Sequence, residues 1–113
     1  VDGGMGDNPR WALYRSRYSV YAAGRMNDLP EETFTVAGRT CESGDVIAES
    51  CRLPALQAGD FLAVAVTGAY NYSMASNYNR VPRAALVMLA NGRDTLAVRR
   101  ETMEDLIRCD QLR

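Results

Sequence analysis

The stretch FLAVAVTGAY, Phe61 to Tyr70, decides the fold class. It is nearly continuous in apolar and β-branched residues, the pattern of a strand buried on both faces, and Gly68 ends it. Shorter strand-like runs surround it: YSVYA (Tyr18–Ala22), TFTVAG (Thr33–Gly38) and a weaker DVIAES (Asp45–Ser50). Toward the carboxyl end, AALVMLANGRDTLAVRR places Asn91-Gly92 between two strand-like runs. That dipeptide tolerates positive φ and predicts a tight hairpin. Helices are expected only briefly. One covers DNPRWALY, with Asp7 or Asn8 as cap and Pro9 in the first turn. Another covers ETMEDLIR, with Thr102 as N-cap and Asp105 three residues on. Between Phe61–Tyr70 and the hairpin, NYSMASNYNRVPR reads as a loop or a single helical turn. Several short strands with few helices predict an all-β domain, a Greek-key barrel or sandwich spanning residues 1–113.

Composition limits the chemistry. The chain has 113 residues, 47% of them apolar, and a net charge of −1. Arginines and acids are interspersed, so there is no nucleic-acid footprint, and no apolar run is long enough to cross a bilayer. All 13 basic residues are arginine, and histidine is absent. The usual neutral-pH general base is therefore missing, and no lysine is available to join a carbonyl covalently. Three cysteines, none in a CxxC pair, predict neither a zinc site nor a disulfide framework and fit a reduced cytoplasmic setting. The chain opens on VDGG without a methionine, as expected of part of a longer protein.

Proton transfer is left to Cys, Tyr, Asp and Glu. In TCESGD, Thr40–Asp45, a thiol stands beside a carboxylate. A neighbouring negative charge favours the protonated thiol, which suits a general acid more than a nucleophile. The alternative is a half-buried cysteine beside a solvated acid. Arg10 and Tyr14 lie four apart on one helical face, where a guanidinium fork and a phenol can hold a carboxylate. A surface arginine beside a packed aromatic would show the same spacing. Tyr70 follows small residues at the strand exit and can reach a phosphate oxygen, or it can anchor the end of a barrel. The tyrosine- and asparagine-rich loop from Tyr70 to Asn79 suits a pocket wall or an interface, or a surface loop packed by its own rings.

The order of these blocks is more specific than any one of them. VDGGMGDNPRWALY, CESGD, TGAYNYSMASNYNRVPRAA and RRETMEDL together resemble the carboxy-terminal domain of the diaminopimelate decarboxylase family, across nearly the whole chain. The resemblance implies a β-domain attached to an α/β barrel, with residues 1–14 as the junction. The barrel would carry the lysine that anchors pyridoxal 5'-phosphate. The implied reaction converts meso-diaminopimelate to L-lysine and carbon dioxide in a cytoplasmic homodimer. Arg10 and Tyr14 would bind a substrate carboxylate, and Tyr70 would contact cofactor and substrate. Cys41 would give a proton to the carbon that loses carbon dioxide, and Glu42 would read the distal amino group, both within the partner subunit's site. Asp45 would support the loop. The family also lends its β-domain a strand from the far amino terminus. Trp11 stands where the family pattern usually has proline. Related decarboxylases of ornithine and arginine typically carry aspartate after the cysteine, so CESGD favours the diaminopimelate enzyme. The other readings are a non-catalytic dimerisation module and a related pyridoxal-phosphate decarboxylase acting on ornithine or arginine.

Overall fold

A computed structural model describes residues 1–111. Six short strands form three antiparallel pairs. Strand β1 (Val20–Ala22) pairs with β4 (Leu62–Val64), β2 (Glu32–Ala37) with β3 (Val46–Leu53), and β5 (Leu86–Ala90) with β6 (Arg93–Val98). Helices are brief: α1 (Arg10–Tyr14), α2 (Asn71–Met74) and α3 (Met103–Ile107), with one 3-10 turn at Tyr78–Arg80. The domain is thus mostly sheet with few short helices. Among the described residues the strands do not close into the expected Greek-key barrel.

The core lies between the first two pairs. Val20, Val36, Ile47, Ala48, Cys51 and Leu53 are buried together, with Phe34, Leu56, Leu62 and Val64 packed against them. Strand β3 supplies most of this core without alternating. Phe34 pairs with Cys51 but Val36 pairs with Ala48, so β3 carries an extra residue at Glu49–Ser50. Ser50 takes left-handed backbone (φ 55°) there. A second shift before the Ala37–Val46 pair makes Ile47 and Ala48 consecutive buried residues. Each bulge reverses which parity faces inward.

The stretch that announces the fold departs from expectation. Only Leu62–Val64 is strand, Phe61 is 79% exposed, and Val66 is 92% exposed. Two causes are visible. Val66 adopts φ 58°, a left-handed conformation that β-branched residues resist, and this ends the ladder. On one side β4 pairs with β1, while an open cleft of about 670 Å³ runs past Val36, Ile47, Leu56, Phe61, Leu62 and Val64.

The local expectations hold. Asn91 and Gly92 have φ of 51° and 70°, the two positive values of a type I′ hairpin. Thr102 accepts from the Asp105 amide while Asp105 returns a bond to the Thr102 amide, a closed capping box. At α1 the cap shifts: Pro9 occupies the N-cap position, and Asn8 Oδ1 accepts from the Arg10 amide at 3.2 Å. The β5–β6 hairpin stands clear of the core, with Met88, Leu89 and Leu96 exposed. The radius of gyration is accordingly 15.7 Å, against about 13 Å for a compact chain of this length.

Leu53, 2% exposed, should be the sensitive core position. In this chain Leu53→Ala should lower unfolding stability by about 2–5 kcal/mol, whereas Leu89→Ala at the hairpin should change it by less than about 0.5 kcal/mol. Urea denaturation of the two variants checks the contrast.

Candidate functional site

Two groups of side chains stand out, on separate loops braced against each other. The first gathers on α1. One helical turn places Arg10 and Tyr14 together, and the guanidinium carbon lies 5.3 Å from the Tyr14 ring centre. The loop after β4 brings Tyr70 to the same group, 5.0 Å away, and Met74 Sδ to 3.8 Å from Arg10 Nη1. Ser76 N donates to Gly6 O at 2.9 Å, fixing the 70–76 segment on the chain leading into α1. Both phenols are exposed, and no ion pair among the described residues involves Arg10. An arginine flanked by aromatic faces and free of a carboxylate is ready for an anionic ligand. Trp11 turns away from this group and stacks on Arg15, 4.1 Å from its guanidinium carbon.

The second group is the turn from Gly38 to Asp45. Asp45 is only 3% exposed, so its carboxylate needs internal partners. Met5 N donates to Oδ1 at 2.7 Å, and Thr40 donates to Oδ2 through its amide (2.8 Å) and its hydroxyl (2.5 Å). Burial alone would raise the carboxyl pKa, but the Thr40 hydroxyl and the Met5 and Thr40 amides together hold it below the ordinary value. Gly4 and Gly38 lie against the carboxylate so closely that a Cβ at either would run into it. The turn is closed by Gly38 N on Asp45 O and by Asp45 N on Glu42 O.

This frame presents Cys41 and Glu42 outward, both exposed. Glu42 Oε1 accepts from Gly44 N (3.3 Å) and Ser43 Oγ (3.4 Å), and Oε2 accepts from the Tyr78 hydroxyl at 3.4 Å. Gly44 faces Ala12 of α1, so the turn leans on the helix that carries Arg10. No hydrogen bond or ion pair among the described residues joins Arg10, Tyr14 or Tyr70 directly to Cys41 or Glu42.

Tyr78 and its supports were missed by the motif reading, although the tyrosine-rich loop marked the region. Glu101 clamps that loop. It accepts from Arg83 N and Nε, each at 2.8 Å, and from Asn77 Nδ2 at 2.6 Å. The Arg83 side chain is the main cause that lowers the Glu101 pKa from 4.5 to about 2.

Three small sheet pairs thus hold polar and aromatic side chains on exposed turns rather than enclosing them. The chain belongs to the family described as pyridoxal-dependent decarboxylase, C-terminal sheet domain, which matches residues 1–68. It is 55% identical to the diaminopimelate decarboxylase of Synechocystis over 99% of this chain and 24% of that protein. With the Bacillus subtilis diaminopimelate decarboxylase it shares 51% identity over 97% of this chain and 25% of that one. Diaminopimelate decarboxylase of M. jannaschii superposes with a TM-score of 0.88 at 34% identity, covering 99% of this chain and 25% of that one. The Helicobacter pylori diaminopimelate decarboxylase in complex with L-lysine gives 0.84 at 35% identity, over 96% and 26%. The chain thus spans about a quarter of the length of these relatives.

Asp45→Asn keeps the shape but loses the charge, and should cost about 1–3 kcal/mol at neutral pH. The folded pKa is depressed, so the carboxylate's contribution is present above the ordinary 3.8 and is lost as pH falls through the lower folded value. Denaturation midpoints of the two proteins should therefore converge in acid. Glu101→Gln should likewise lose its difference from the wild type between pH 4.5 and about 2, the interval its shifted pKa spans.

Proposed function

We propose that this chain is the sheet domain of a diaminopimelate decarboxylase, which converts meso-diaminopimelate to L-lysine and carbon dioxide in the cytoplasm. The observation that carries the reading is the outward-facing Cys41–Glu42 pair on a turn fixed by Asp45. Cys51, by contrast, is buried in the core.

The residues fit a partial role toward pyridoxal 5'-phosphate. The chain has no lysine to anchor it, but Arg10 with the exposed phenols of Tyr14 and Tyr70 forms a donor set suited to carboxylate and phosphate oxygens. When bound, the cofactor supplies an electron sink at the reacting carbon. Arg10 pairs with a substrate carboxylate and Tyr14 adds a hydrogen bond, while Tyr70 touches both substrate and cofactor. Glu42 accepts from the distal ammonium. A site that closes over such a polar partner discriminates strongly against analogues that leave it unpaired. The Cys41 thiol transfers its proton to the carbon that has released carbon dioxide, and the thiolate regains a proton from water.

In this reading Cys41 and Glu42 serve the partner subunit's site in a homodimer, while Arg10 and Tyr70 serve their own. Residues 1–14 form the junction to the barrel. The apolar cleft beside β4 seats a further strand that completes a Greek-key barrel. The surface area supports a domain that rests on others: 8543 Å², against about 6200 Å² for a compact monomer of this mass. The 113 residues alone, without an anchoring lysine, are catalytically inert.

In the full-length enzyme, Cys41→Ala should reduce turnover by about 10²–10⁴-fold while the bound cofactor's absorbance stays unchanged. Wild-type turnover in that variant would remove Cys41 from the mechanism.

A further inference from the structure

We propose that Tyr78 is a positioning residue for Glu42, and through it a determinant of affinity for the distal amino-acid centre of the substrate. The inference rests on the reading of Glu42 given above and goes beyond it. A glutamate on an exposed turn has rotatable bonds to spare, and its selectivity depends on being held. Glu42 Oε1 is held only by its own turn, through Gly44 N and Ser43 Oγ. The Tyr78 hydroxyl, 3.4 Å from Oε2, is the restraint from elsewhere in the fold. An ionised carboxylate can only accept, so the phenol donates, and Oε2, with this one donor, keeps a free lone pair for an incoming ammonium.

Tyr78 is well placed to act as a fixed donor. It begins the 3-10 turn, where Asn79 and Arg80 take left-handed backbone with φ of 53° and 55°. The turn is tied down on both sides. Asn77 Nδ2 donates to Glu101 Oε2 (2.6 Å) and to Val81 O (3.1 Å), and Arg80 Nη1 donates to Asp110 at 2.8 Å. Arg83 binds Glu101 as well, so the phenol's position is set by residues far along the chain. Loss of solvent first, and then the charge and hydrogen bond of Glu42 with the charges of Cys41 and Asp45, push the Tyr78 pKa above its ordinary 10.0. The hydroxyl therefore keeps its proton throughout the neutral range.

The test uses the full-length enzyme with cofactor bound and two readouts: steady-state kinetics with meso-diaminopimelate, and calorimetric affinity for L-lysine. Tyr78→Phe removes one oxygen and leaves the ring. It should raise KM and the Kd for L-lysine about three- to tenfold, the scale of one modest hydrogen bond, with most of the loss in KM rather than kcat. Asn77→Ala, which loosens the turn without touching the ring, should move Kd in the same direction. Adding Tyr78→Phe to Glu42→Gln should change Kd by less than about twofold, because the two act as one unit. A full effect of Tyr78→Phe on the Glu42→Gln background overturns the proposal, as does an unchanged Kd in Tyr78→Phe where Glu42→Gln alone weakens binding. An unchanged Kd in Glu42→Gln removes the Glu42 reading itself, and the role of Tyr78 with it.

Discussion

The carboxylate of Asp45 holds the segment leading to α1 and the turn from Gly38 to Asp45 in register. A charge buried to 3% exposure is tolerable only if its hydrogen bonds are complete, and here they come from both sides of the domain: Met5 from the segment that leads to Arg10, Thr40 from the turn that carries Cys41. Gly4 and Gly38 give the oxygens room to meet these donors. Movement of either segment would strand the charge, so the two behave as one body. Arg10 and the Cys41–Glu42 turn thereby keep a fixed separation although no bond joins them directly.

Polar clamps repeat this solution elsewhere. Three two-stranded pairs with a modest core cannot organise long loops by apolar packing alone. Arg25 ties Ala55 and Asp60 together, Glu101 gathers Asn77 and Arg83, and Asp105 both caps α3 and pairs with Arg99. Functional side chains stay exposed on backbone that is nonetheless well fixed. Exposed pairs of this kind contribute little to stability singly, and their value here is geometric.

Features with local causes were legible in the sequence. Asn91-Gly92 specifies its turn through its own φ angles, Thr102 and Asp105 cap each other across three residues, and Arg10 and Tyr14 meet by helical spacing alone. Features that depend on distant pairing were not. Strand β3 looked weak because its two bulges break the alternation that identifies a half-buried strand, yet it provides most of the core. Phe61–Tyr70 reads as a buried strand because apolar content records a tendency to be buried, not which neighbour does the burying. At the site, TCESGD named the two side chains, Cys41 and Glu42, that the turn presents outward. The contact of Tyr78 with Glu42 spans 36 positions and leaves no periodic trace.

The Arg83–Glu101 clamp also has a topological consequence. Glu101 N donates to Arg83 O, and the two side chains close the same gap, so the chain leaves and re-enters the domain at a single point. The β5–β6 hairpin between them is an appendage of the domain, with Arg99 reaching back to Asp105 of α3. New chain ends or an inserted domain at Asn91-Gly92 would accordingly leave the Cys41–Glu42 turn undisturbed. The appendage is free to be reshaped to suit whatever surface it meets.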